Sequence, residues 1–109
     1  MFNRGDIVLI PVPYTDLSAS KKRPVLVMSN DVYNIANQDM IVVAITSNLA
    51  QMGIAITAVD MKQGQIPKPS VVRSDKIYTL NQSIVVKSIG HVKDAVVKSV
   101  YNEIVKYIS

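Results

Sequence analysis

Lys21-Lys22-Arg23-Pro24-Val25-Leu26-Val27-Met28-Ser29-Asn30-Asp31 sets a cationic end directly against an unbroken apolar run. The run is short, rich in Val and Leu, and closed by Ser-Asn-Asp, which favours a turn. It reads as a buried strand. Pro24 has no backbone N–H, so it sits most easily at the first position of that strand. Arg23 is then held at a strand mouth with its guanidinium facing solvent or a ligand. A rigid fork of five donors is how proteins grip phosphate. A lone arginine is usually only a surface charge; its company here points to a site.

Upstream, Gly5-Asp6 precedes the apolar run Ile7-Val8-Leu9-Ile10, a first strand that Pro11 and Pro13 stop or push to a sheet edge. Residues 14–22, Tyr-Thr-Asp-Leu-Ser-Ala-Ser-Lys-Lys, form a polar loop with two open readings. It is a solvated hairpin loop, or a flap whose hydroxyls and ammoniums contact a phosphate backbone.

Downstream, residues 31–39 carry turn formers and read as an irregular loop, and Met40–Ile45 as a central, fully buried strand rich in β-branched residues. It ends in Thr46-Ser47-Asn48, small hydrogen-bonding side chains that cap turns and can also hold a phosphate. Ile54–Val59 reads as a strand, and Met61–Pro69 as a loop by its Gly and two Pro. In Ser70–Leu80, alternation turns Val72, Ser74 and Lys76 one way and Val71, Arg73, Asp75 and Ile77 the other, so Arg73 and Asp75 share a face within ion-pair reach. Ser83–Gly90 reads as the last strand. Val92, Val96, Val100, Ile104 and Ile108 then recur every four residues, an amphipathic helix of roughly four to five turns with Lys93, Lys98, Asn102 and Lys106 opposite. His91 falls at the start of this helix, as a cap or surface residue. About five strands and one terminal helix make a mainly β fold, a small, strongly curved antiparallel barrel closed by a helix.

With 109 residues the chain suits one domain, residues 1–109, and its 49% hydrophobic and 18% charged content is ordinary for a globular protein. No apolar run is long enough to span a membrane, and the N-terminus lacks signal-peptide features. The absence of cysteine excludes disulfides and thiolate chemistry and fits a cytoplasmic protein; a single histidine argues against a His-based zinc site. No metal or cofactor is expected. The net charge of +4 is a mild bias towards polyanions.

Several motifs occur in order: Arg4-Gly5-Asp6-Ile7-Val8, Lys22-Arg23-Pro24-Val25-Leu26-Val27, Ala44-Ile45-Thr46-Ser47-Asn48, Ser70-Val71-Val72-Arg73-Ser74-Asp75-Lys76-Ile77, Ile89-Gly90, and the terminal helix. Together they resemble the MazF/PemK toxins of bacterial toxin–antitoxin systems, from about Arg4 to Ile108. The resemblance implies an SH3-like barrel with a C-terminal helix, of the MazF/PemK/CcdB kind, usually a homodimer. It implies a metal-independent endoribonuclease, an mRNA interferase that cuts single-stranded RNA, and an antitoxin partner whose tail occupies the RNA groove. The family's central active-site pair carries over to Arg23 and Thr46, and a later Arg and Asp match Arg73 and Asp75. The loop before Arg23 lacks the Glu or Gln that many relatives have there.

Metal-free RNA cleavage uses attack by the neighbouring 2′-OH on phosphorus. The protein must align that hydroxyl, stabilise charge on the phosphate oxygens and manage protons. Arg23 suits the charge, and Thr46 suits the phosphate or the 2′-OH. Asp75 is the best available general base, and Arg73 neutralises the phosphate or aids the leaving oxygen. Ser18, Ser20, Lys21, Lys22, Ser47 and Asn48 are expected to contact RNA. Tyr14, favoured over Tyr33 and Tyr78, is expected to stack on a base. Two other readings remain: a non-catalytic poison of the same fold acting on a protein such as gyrase through its helix, and a module that binds single strands without cutting them.

Overall fold

The computed structural model describes residues 1–12 and 21–109. Seven strands form one antiparallel sheet: β1 (Asp6–Val12), β2 (Lys21–Val27), β3 (Asp39–Thr46), β4 (Ile54–Ile56), β5 (Met61–Gly64), β6 (Ser70–Asn81) and β7 (Lys87–Val92). Their order is β4-β6-β3-β2-β1-β7-β5. The sheet curls into a half-barrel. Two helices accompany it, α1 (Asp31–Ala36) and α2 (Asp94–Ile108). No helix among the described residues is long and apolar enough to cross a membrane.

The unbroken apolar runs are explained by burial on both faces of the sheet. Side chains alternate along a strand, so a run without polar interruptions suits a strand covered twice. Ile7, Leu26, Val43, Ile45 and Val72 meet Val92, Val96 and Val100 on the α2 face. Val8, Ile10, Val25, Val27, Met40 and Val42 pack on the opposite face, where Phe2, Leu80 and Val85 cover them. Each such side chain, fully buried, contributes roughly 1.5–3 kcal/mol.

Four local expectations change. Residues 31–36 are helical. Asn30 caps them, its Oδ1 accepting from Tyr33 N at 2.8 Å. Residues 61–64 pair with β7 instead of forming a loop. There Gly64 (φ 72°) lies opposite Gly90, and a Cβ on Gly90 would fall 2.5 Å from Gln63 O, so the close approach requires glycine. The strand expected over residues 54–59 ends at Ile56 and gives way to a 3-10 turn, Ala58–Asp60. The last strand starts at Lys87 and runs through Val92, taking His91 out of the helix. His91 Nδ1 lies 2.8 Å from Asp6 Oδ1, and both side chains are partly buried.

Arg4-Gly5-Asp6 is a stitch between strands. Gly5 N donates to Val27 O at 2.8 Å, and Gly5 O accepts from Val92 N at 3.0 Å. Gly5 has φ 97°, and a Cβ there would come within 2.9 Å of the His91 ring.

A second stitch is a buried polar network around Asn34. Its Nδ2 donates to Phe2 O and Ser29 O, both at 3.0 Å, and its Oδ1 accepts from Ser29 Oγ. Ser29 Oγ in turn accepts from Ile41 N at 2.9 Å. Gln82 completes the network: Nε2 donates to Asn34 O at 2.9 Å and Oε1 accepts from Phe2 N at 3.1 Å. Asn34 is almost wholly buried. Removing its amide leaves several buried partners unsatisfied, so Asn34→Ala is expected to lower unfolding stability by about 1–3 kcal/mol in urea titration, with unchanged far-UV circular dichroism.

Candidate active site

The site begins with a missing donor. Backbone N–H groups along a strand point alternately to its two neighbours. Met28 N donates to Ile41 O, across to β3, at 2.9 Å. Two and four residues back, Leu26 and Pro24 turn the same way. Pro24 has no N–H to give, and the β2–β3 ladder runs only from Val27↔Val42 to Val25↔Ala44. Beyond it, β2 continues against β1 as far as Lys21, and β3 continues against β6 as far as Thr46. The paired ladder between β2 and β3 therefore stops at Val25↔Ala44. Pro24 lies in mid-strand, not at the first position, but its effect is that of a strand end on one side.

Extending the register puts Arg23 opposite Thr46, just past the end of the ladder. Both line two adjoining depressions. One, of about 310 Å3, is basic: Lys21, Lys22 and Lys68 surround Arg23, with Ser47 beside Thr46. The other, of about 540 Å3, has Arg73 and Lys76 at its polar end and Tyr78, Leu80 and Ile84 along its apolar wall. Arg23 is exposed. Thr46 Oγ1 accepts from Asn48 N at 3.1 Å, which fixes the hydroxyl oxygen and leaves its proton directed by the surroundings.

Arg73 sits opposite Ala44 on β3. Its Nε and Nη2 donate to the two oxygens of Asp75 at 3.1 and 3.0 Å. Its Nη1 donates to Gln51 Oε1. Three of the five N–H donors are thus held, and the guanidinium is fixed in place. The hydrogen bond from Arg73 holds the Asp75 carboxyl below its ordinary aspartate value, and the same bond raises Arg73. A carboxylate with both oxygens on a guanidinium and a lowered proton affinity is a poor acceptor for a substrate proton. Its geometry suits holding Arg73.

The structure thus brings together Arg23, Thr46, Lys21, Lys22, Ser47 and Arg73, with Asp75 behind Arg73. Asn48 lines neither depression; its Oδ1 accepts from Ala50 N at 3.0 Å within its own loop. Tyr14, Ser18 and Ser20 lie outside the described residues. Of the other two tyrosines weighed for stacking, Tyr78 lines the larger depression and Tyr33 lies elsewhere, in a separate depression with Arg4 and Tyr101. Lys68, Lys76 and Gln51 were not singled out from sequence. Lys68 lies between two prolines in a segment with no periodic signal, and Gln51 reaches Arg73 across 22 positions. Among the described residues, no three His, Cys, Asp or Glu side chains converge as a metal ion would need.

Solved structures share this architecture. A MazE–MazF structure from Deinococcus radiodurans matches with TM-score 0.78 at 20% identity, over 98% of this chain and 95% of that one. The Mycobacterium tuberculosis toxin MazF-mt6 matches with TM-score 0.75 at 21% identity, over 94% and 95%. An endoribonuclease from a mycobacterial species, in complex with its cognate antitoxin, matches with TM-score 0.74 at 19% identity, over 99% and 95%. No curated protein sequence matches significantly. At these identities the likeness establishes the fold, including the curled sheet and terminal helix. The family model described as PemK-like, MazF-like toxin of type II toxin-antitoxin system matches residues 3–108, and the chain belongs to that family.

Proposed function

We propose that residues 1–109 form one toxin domain that cleaves single-stranded mRNA by attack of the 2′-OH on the adjacent phosphorus. The observation that carries this reading is that Arg23 and Thr46, at the end of the β2–β3 ladder, line one depression together with Arg73, which stands opposite Ala44. The new bond is 2′-O–P, and the bond broken is P–O5′. The products are a 2′,3′-cyclic phosphate and a 5′-OH. Arg23 and the remaining Arg73 donors meet the non-bridging oxygens, and Thr46 holds the phosphate in line. The 2′-OH proton leaves to solvent and O5′ takes one from solvent. The one histidine is engaged with Asp6, remote from Arg23 along β1. Such an enzyme is slow and relies on charge and alignment.

An RNA strand crossing the two depressions would pass from the lysines of one to the apolar wall of the other. The solved relatives in complex with a partner support a cognate antitoxin for this chain. A homodimer is supported by the exposed Tyr101, Val105 and Ile108 of α2. The chain would work in the cytoplasm, where its RNA is.

Purified protein with a long single-stranded RNA in excess EDTA is expected to give discrete cuts with 2′,3′-cyclic ends. Arg23→Ala should abolish them, and Thr46→Ala should reduce kcat by about 10²–10³, as loss of one transition-state donor does. Intact RNA from folded wild-type protein would instead favour a binding module or a poison of a protein target.

The Arg73 clamp makes a separate prediction. A lowered carboxyl stays ionised throughout neutral and mildly acidic conditions. The pair therefore contributes fully above the ordinary aspartate value of about 3.9 and fades only as pH falls below it. Asp75→Asn and Gln51→Ala should each lower kcat without altering the pH–rate profile between about pH 5 and 9, where a carboxyl held below its ordinary value does not titrate. Arg73→Lys should not restore activity, because an ammonium has no fork to fill.

A further inference from the structure

The ladder between β3 and β6 contains an odd insertion. Ala44 pairs with Arg73, yet Val43 pairs with Ile77, so Ser74, Asp75 and Lys76 have no partner on β3. Alternation would put Arg73 and a residue five positions later on opposite faces. Three extra residues reverse that parity. Tyr78 therefore stands opposite Val42 and Leu80 opposite Met40, on the face that carries Ala44 and Arg73. Val42 and Ala44 are one two-residue repeat apart, about 6.8 Å, so the tyrosine ring and the guanidinium occupy neighbouring rows. A bulge that re-aims side chains beside a site is a recurrent use of such irregularities.

The result is a depression with two chemistries. Its cationic end holds Arg23, Arg73 and Lys76; its apolar end is walled by Tyr78, Leu80 and Ile84. Tyr78 is 49% exposed although it stands in a paired strand, and Ile84 is 37% exposed. A half-exposed ring on a rigid element, next to cations and an apolar wall, matches what an unpaired nucleotide presents: a flat base joined to a phosphate.

The geometry points to a nucleobase subsite at Tyr78, where the ring stacks on one unpaired base of the RNA next to the phosphate held at Arg23 and Thr46. This rests on the RNA-cleaving reading above and adds to it a specific subsite and the residue that forms it. Leu80 and Ile84 line the wall of the slot. Stacking selects for an intact base and tolerates its identity, so sequence preference at this position would be weak.

The test uses short RNAs carrying one abasic nucleotide at each position around the mapped cut, with wild type, Tyr78→Ala, Tyr78→Leu and Tyr78→Phe. One abasic position is expected to lower wild-type kcat/KM by about 5- to 150-fold, as loss of one base stack does, chiefly through KM. Tyr78→Ala and Tyr78→Leu should show that loss on intact RNA and no further loss on the abasic one; Tyr78→Phe should behave as wild type. Tyr78→Leu keeps an apolar side chain on the wall, which separates loss of stacking from loss of folding. Wild-type KM in Tyr78→Leu, or losses that multiply at every abasic position, would overturn the subsite alone. Wild-type protein that cuts no RNA would overturn the underlying reading, and the subsite with it.

Discussion

A hydrogen bond that Pro24 cannot make ends the β2–β3 ladder beside Arg23 and Thr46. β2 and β3 are held together by alternate N–H donors, and the donor due at Pro24 is absent. Beyond Val25↔Ala44 the pairing partner of β2 is β1 and that of β3 is β6, and Arg23 and Thr46 follow at the ladder's end. No non-glycine described residue has a positive φ. The ladder can end there only because the sheet is otherwise well packed. Burial of both faces supplies that, through the α2 cluster on one side and the Met40–Val42 cluster on the other.

The charges around the site follow one logic. Lys21, Lys22, Arg23, Lys68, Arg73 and Lys76 line two adjoining depressions. Like charges gathered this closely repel one another, and the described structure answers at Arg73, where Asp75 and Gln51 hold the guanidinium. A polyanion bound across these depressions would release counterions, so its affinity would fall steeply with salt.

Sequence periodicity made the main strands and the terminal helix legible, because they are defined by what they bury. Val25–Val27, Met40–Ile45 and Val96–Val100 pack as their spacing implies. Arg73 and Asp75 were legible as a pair because only two positions separate them. Elements fixed by distant partners were not legible. α1 depends on Asn34 reaching Phe2 O, and β5 depends on Gly64 meeting Gly90. His91 belongs to a strand because Asp6, at the far end of the chain, receives its ring. Tyr78 could not be put on the site face by alternation, since the three unpaired residues that turn it there show no pattern of their own. The pairing of Arg23 with Thr46 came from family resemblance; that the β2–β3 register puts them opposite each other appears only when strand neighbours are known.

Position 24 also sets a conflict between durability and use. Almost any other residue there would offer an N–H to β3, and the strands already run in the register that would accept it. That one bond would add a net stabilisation of about 0.5–1.5 kcal/mol. A search for a hardier version of this chain, by consensus or by computed energy, would be drawn to a substitution one position from Arg23.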